Sequence, residues 1–328
     1  MKKVTLKGLW QVIKESFSGF FDDKVLKLSA SLAYYTVFSL APLLIIILYL
    51  CGLFLGREAV EGSIYTQIEG FVGPQSAIQI QEMIKSASID GKGNTAMIIG
   101  VITLLIGATS VFAEIQDSIN TIWGLKAKPG KGLKQFLTTR LLSFGVIGSL
   151  GFLLLVSLGV STLVDALSDM LRERFPDVTV VLMFIINILI SFAVISLLFG
   201  VIFKVLPDAK IKWKDVRAGA IATAILFMLG KLGISLYISK SEVGNTYGAA
   251  GSLVVLLVWV YYSSVILYFG AEFTKRYAIK FGSSIHPNHY AVLARTIEVE
   301  EDGKSLQAVD RKDQAQKAAV EEKATKQN

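Results

Sequence analysis

The chain has 328 residues, 53% hydrophobic and 18% charged, with a mean hydropathy of +0.57 and a formal net charge of +7. An ordinary soluble domain carries about 25% charged residues and less apolar material, so a soluble enzyme of this size is excluded, as is a disordered chain over most of the length. What remains is an integral membrane protein.

In chain order, residues 1–30 come first. Leu6, Leu9, Trp10, Ile13, Phe17, Phe20 and Phe21 recur at three- and four-residue steps, with Lys7, Gln11, Lys14 and Ser18 between them. That spacing predicts an amphipathic helix suited to the cytoplasmic membrane interface, to packing on the bundle, or to both. Lys7, Lys14, Asp22, Asp23, Lys24 and Lys27 interrupt the apolar pattern, so no cleaved leader is expected. A membrane-crossing helix needs about 20 mostly apolar residues, and six runs qualify: 31–55, 95–116, 141–164, 180–203, 218–239 and 247–271. The expected fold class is therefore an all-α polytopic membrane protein with six transmembrane helices in a domain over 31–272.

Lysine and arginine set the orientation. Segments 1–30, 117–140, 204–217 and 273–328 hold 26 of them, and the alternate loops 56–94, 165–179 and 240–246 hold 6. Both termini are expected in the cytoplasm. The positive charge follows this topology, so no nucleic acid is expected as a partner. In the long outer loop 56–94, Ile80, Met83, Ile84 and Ala87 fit a short interfacial helix. Residues 273–328 form a cytoplasmic tail, expected to be disordered from about 291, where aromatic residues stop and mixed charges such as Glu300-Glu301-Asp302 begin.

Polar groups inside a membrane are expensive, so each is a functional candidate. Glu114, Asp117 and Asn120 are spaced by three near the cytoplasmic end of the second span. Two carboxylates so close near low dielectric resist joint ionisation, a property usable for proton or cation coupling. The alternative is a helix end meeting water, its carboxylates paired to Lys126 or Lys128. Lys231 is the basic residue well inside a span, and either snorkels to the outer interface or faces a cavity holding an anionic substrate. Tyr34, Tyr35 and Ser39 precede Pro42, which bends the first span and frees a carbonyl. The sixth span opens with Gly248 and Gly251, which allow close helix contact, and continues through Tyr262 to Glu272, read as an interface residue.

Soluble-enzyme constellations are missing. Cys51 stands alone in an apolar run, and His286 and His289 have no ligand cluster at metal spacing, so no metal is expected. The sequence has no GxxxxGK[ST] or GxGxxG phosphate loop and no GxSxG elbow, so no cofactor and no enzymatic activity are expected.

Three stretches together resemble the YihY/virulence factor BrkB family of bacterial membrane proteins. They are Ser29 through Pro42, Asp117-Ser-Ile-Asn120-Thr-Ile-Trp123, and Tyr247 through Glu272 with its Trp259-Val-Tyr261-Tyr262-Ser263-Ser264 segment. The similarity covers about residues 10–280. It implies a six-span bacterial inner-membrane protein whose functional centre is lined by Tyr34, Tyr35, Ser39, Pro42, Asp117, Asn120, Gly248, Gly251, Tyr262 and Glu272. An older ribonuclease label of the family finds no support in the residues. The first expectation is a transporter or a translocase of lipid or another amphipathic substrate, with its cavity between spans one, two and six, Pro42 as a bend and Glu114 with Asp117 as the coupling charges. The second is a non-transporting scaffold or envelope-assembly factor whose tail docks partners; a membrane-bound nuclease ranks third. The bilayer is the expected partner, and small-residue stripes permit a homo-oligomer without requiring one.

Overall fold

The computed structural model describes residues 4–54, 78, 94–127, 176–241, 251–283 and 285–294. The predicted span at 141–164, nearly all of the outer loop at 56–94, Gly248 and the tail beyond 294 lie outside the described residues. Contacts divide the chain into units Met1–Leu293 and Ala294–Asn328, and every element below belongs to the first.

Helix α1 runs Leu6–Asp22, started by Thr5, whose hydroxyl accepts the Gly8 N–H at 3.2 Å. The chain turns at Lys24, which takes a left-handed φ of 52°, and enters α2, Val25–Phe54. Pro42 falls within this helical run. Helix α3, Asn94–Trp123, ends at Gly124, whose φ of 67° is the left-handed conformation that a residue just past a helix C-terminus commonly adopts. Strand β1, Leu125–Ala127, follows. Helix α4 spans Pro176–Val205, β2 Ala209–Lys210 and α5 Trp213–Ser241. Helix α6, Gly251–Phe281, leads into β3, His286–Pro287, and β4, Ala291–Leu293.

Val181–Val205, Trp213–Ile234 and Leu253–Phe281 are long and apolar enough to cross a membrane, with mean hydropathies of 2.8, 1.5 and 2.0. The first buries few of its residues in the chain's own interior, so its apolar side chains need another apolar medium. Helices α2 and α3 have 30 residues each. At about 1.5 Å per residue such helices exceed a hydrocarbon core of about 30 Å. Helix α3 continues past the predicted span end at 116 to Trp123, and α6 past 271 to Phe281.

Small residues set the spacing between helices. Thr223 of α5 stands over Gly270 of α6, and Thr274 of α6 stands over Gly219 of α5; a Cβ at either glycine would overlap the facing threonine. Each threonine hydroxyl donates back to a carbonyl of its own helix, Thr223 to Gly219 at 2.7 Å and Thr274 to Gly270 at 2.6 Å, so this dry contact leaves neither hydroxyl unsatisfied. Farther along, Gly230 makes room for the Tyr262 hydroxyl. Between α2 and α3, a Cβ on Gly107 would come within 2.9 Å of the Ser39 Cβ.

Helix α1 packs on α6 through Gly8, Val12, Ser16 and Gly19, a stripe of small and β-branched residues. Val12 joins Phe273 and Phe281 in a small core. On its other face Leu6, Trp10, Phe17 and Phe21 are exposed. The packing reading of the amphipathic pattern is thus seen on one face, while the other carries exposed aromatic side chains.

The main core, including Ile119, Ile122, Phe203, Val216 and Tyr268, lies where the start of α2, the end of α3, the α4–α5 turn and the end of α6 converge. Two short antiparallel pairs floor this end, β1 with β4 and β2 with β3. The sequence patterning does not announce them, because each strand is too short to show alternation. Ala291–Leu293, where the predicted disordered tail begins, is an ordered strand paired with Leu125–Ala127.

Candidate functional site

The polar side chains of this converging end form two neighbouring groups. The first centres on Asp208, in the turn between α4 and β2 and 6% exposed. Its carboxylate accepts from Gln116 Nε2 and from Asn120 Nδ2, each at 2.9 Å. The Asp208 backbone N–H donates to Asn120 Oδ1 at 2.9 Å. One asparagine thus uses both ends of its amide on one residue, which fixes its orientation. The Asp208 carbonyl accepts from the Asn288 N–H at 2.9 Å, joining the α4–β2 turn to the β3–β4 turn. Burial raises the Asp208 carboxyl above the ordinary aspartate range, against the opposing hydrogen bonds from Gln116, Asn120 and Tyr290.

The second group centres on Glu272, which is 0% exposed. Its Oε1 accepts from Arg276 Nε at 2.7 Å, and Lys275 Nζ lies 3.3 Å from Oε2. Lys275 also reaches Asp23 at 3.6 Å and donates to the Ile122 carbonyl, one of those left open at the end of α3. Trp123 Nε1 donates to the Ala271 carbonyl at 3.3 Å. The Glu272 carboxylate lies where a Cβ on Gly19 would stand, so glycine there lets α1 approach the buried acid. Burial pushes the Asp23 carboxyl up more than the neighbouring Lys275 and Arg276 hold it down.

Sequence-predicted site residues divide unevenly between these groups. Asn120 and Glu272 belong to them. Asp117 is exposed and Glu114 half-buried, so the spacing by three does not gather Glu114, Asp117 and Asn120 on one partner. A three-residue step falls short of a full turn by about 60°, and two such steps carry the stripe around the helix. The pair that shares a face is Gln116 and Asn120, four apart. Tyr34 and Tyr35 are exposed; Tyr34 packs against Phe38 at a ring separation of 4.6 Å. Ser39 donates to the Thr36 carbonyl at 2.8 Å. Lys231 is half-buried on α5, next to Gly230, against which Tyr262 packs. Gly251 begins α6.

At the same end of the molecule, two buried hydroxyls belong to α3 and α6. Ser118 is 1% exposed and Tyr268 0%, and neither has a well-formed hydrogen bond among the described residues. They are neighbours that do not reach hydrogen-bond geometry, and the charges of Glu114 and Asp117 are within electrostatic range of Tyr268. Among the described residues, no three His, Cys, Asp or Glu side chains gather as a metal site.

Long apolar helices, outward apolar surface and a polar floor at one end define a helical membrane protein. More narrowly, the chain belongs to the virulence factor BrkB family, whose model matches residues 16–289. A UPF0761 membrane protein of Pseudoalteromonas translucida is 28% identical over 258 residues, covering 77% of this chain and 81% of the relative. One from Alteromonas mediterranea is 25% identical, covering 77% and 83%. A longer relative from Stenotrophomonas maltophilia is 27% identical over 79% of this chain and 59% of its own length. No solved structure matches.

Proposed function

We propose that the protein is a transporter or translocase of the bacterial inner membrane that moves a lipid or another amphipathic substrate without chemically altering it. On this reading the six spans place both termini in the cytoplasm, and the polar floor lies on the cytoplasmic side. The observation that carries the reading is a pair of buried hydroxyls, Ser118 and Tyr268, that neighbour each other without a well-formed hydrogen bond among the described residues and lie within electrostatic range of Glu114 and Asp117. Buried polar groups normally find partners, and one left open between helices is costly unless water or a passing polar group satisfies it. Helices α2, α3 and α6, which contact one another, supply the predicted pathway. The outward aromatic face of α1 supports a substrate taken from the membrane surface.

A scaffold is the competing reading. It draws on the floor, where the polar bonds hold elements of the chain to each other. Purified protein in liposomes separates the two. Transport of an ion, solute or fluorescent lipid that Asp117→Asn or Lys231→Ala abolishes, with folding preserved, is the expected result. No movement above empty liposomes across a broad panel refutes transport and leaves the scaffold.

A further inference from the structure

A cavity of about 440 Å³ opens at the end of α6, between that helix, Trp123 and Leu125 at the end of α3, and the strand segment that closes the floor. Its size falls within the range of about 300–1,000 Å³ typical of small-molecule sites. Among the described residues two lysines contribute to its wall, Lys275 and Lys280, and no acidic residue does, although the Asp215 carboxylate adjoins the wall and accepts the Ser283 N–H at 3.1 Å. Their situations differ. Lys275 is matched by Glu272, Asp23 and the Ile122 carbonyl. The Lys280 ammonium is out of solvent and has no hydrogen-bond partner among the described residues.

A buried ammonium without a partner is costly to keep out of water. The carbonyls at the end of α6 offset only part of this, since Lys280 lies in its last turn. The cavity therefore has in its wall a cation with no hydrogen-bonded anion among the described residues. Its lips are apolar: Ile279 is 65% exposed and Leu293 67%. An inorganic anion would satisfy the lysine and leave those lips in water. A phosphate carrying an acyl chain satisfies both.

We propose that this cavity binds the phosphate of an anionic phospholipid, with Lys280 as its ammonium partner, Ser283 as a further polar group on the wall, and Ile279 and Leu293 against the acyl region. Basic pockets between membrane helices recognise lipid headgroups in this way. The assignment rests on the membrane class of the protein alone. A resident lipid would occupy the site in a scaffold as well as in a transporter, and equilibrium binding reads it in either case.

The test uses the full chain in detergent, titrated with short-chain phosphatidylglycerol, with phosphatidylcholine of the same chain length, and with inorganic phosphate. Binding is followed by native mass spectrometry and by the shift in thermal unfolding. Phosphatidylglycerol is expected to bind saturably and to raise the unfolding temperature. Lys280→Gln should weaken it about tenfold, the factor of one charge-assisted contact, while Lys280→Arg retains binding. Leu293→Ser keeps the lysine and should weaken lipid more than phosphate, which tests the lips should Lys280→Gln fail to fold. Equal affinity for inorganic phosphate and phosphatidylglycerol overturns the lipid assignment in favour of a soluble anion. Equal binding of the two lipids, or no loss in either Lys280→Gln or Leu293→Ser, overturns the site.

Discussion

Asn120→Ala is the sharpest perturbation of the polar floor. The side chain donates to the Asp208 carboxylate and accepts from the Asp208 N–H, both at 2.9 Å, and Asp208 is buried. Truncation leaves a buried backbone donor unsatisfied, at about 1–3 kcal/mol, and removes a bond to a charged group, at about 1.5–3 kcal/mol. The expected loss is about 3–5 kcal/mol, read by thermal or denaturant unfolding in detergent. Asp208→Asn separates charge from shape. It removes the buried charge, and the Gln116 amide can turn to donate or accept as required, so a smaller loss is expected. The two variants also carry a pH signature. The Asp208 carboxyl is raised above 3.8 in the folded protein, so the folded state holds its proton at pH values where the unfolded chain has released it. Stability from this group is greatest below the unfolded value and falls as pH rises through the raised folded one. Wild type minus Asp208→Asn should therefore decline with pH across that window and level off above it. A loss under about 0.5 kcal/mol for Asn120→Ala, the size of an ordinary surface substitution, would refute the reasoning.

Further predictions concern the other contacts. Lys275→Ala strands the buried Glu272 beside a lone Arg276 and opens the Ile122 carbonyl; breaking a buried pair costs about 3–5 kcal/mol, and the lower end is expected because Lys275 keeps 18% exposure. Differential scanning of the variant checks it, and an unchanged transition would remove Lys275 from the floor. Gly270→Val drives a branched side chain into Thr223 and should separate α5 from α6, at about 1–3 kcal/mol for overpacking, seen as lost yield of monodisperse protein. Equal yield would show that the two helices tolerate wider spacing. In a variant keeping only Trp10 of the four tryptophans, brominated lipids should quench the fluorescence strongly, since α1 turns this residue outward; quenching by aqueous iodide alone would place α1 away from the bilayer.

Much of the membrane architecture was legible because hydropathy over twenty residues is a local quantity. The helices α4, α5 and α6 stand where apolar runs bounded by charge placed them. Glu272 and Asn120 were legible as expensive polar residues near span ends, although their partners were not. Asp208 was missed for a physical reason: in a short loop with Lys204, Lys210 and Lys212 it reads as one more solvated charge. Its distinguishing signal was its sign, one of two acids, with Asp215, in a segment 204–217 that holds five bases. The Gly19 approach to Glu272 and the Thr223–Gly270 contact were hidden because a glycine in an apolar helix says only that something comes close. What comes close is a tertiary fact.

Trp123 reaches Ala271 across 148 residues and Lys275 reaches Ile122 across 153. A membrane chain is delivered from its N-terminus, so α3 is in place long before α6 exists. Until α6 arrives, the end of α3 has open carbonyls and an unanswered indole, and β1 lacks its partner strand. Completion of the floor therefore waits on α6 and β4. Substitutions there should be seen by the cell as unfinished molecules and degraded, so phenotypes mapped to these residues must be read against protein abundance before they are read as lost activity.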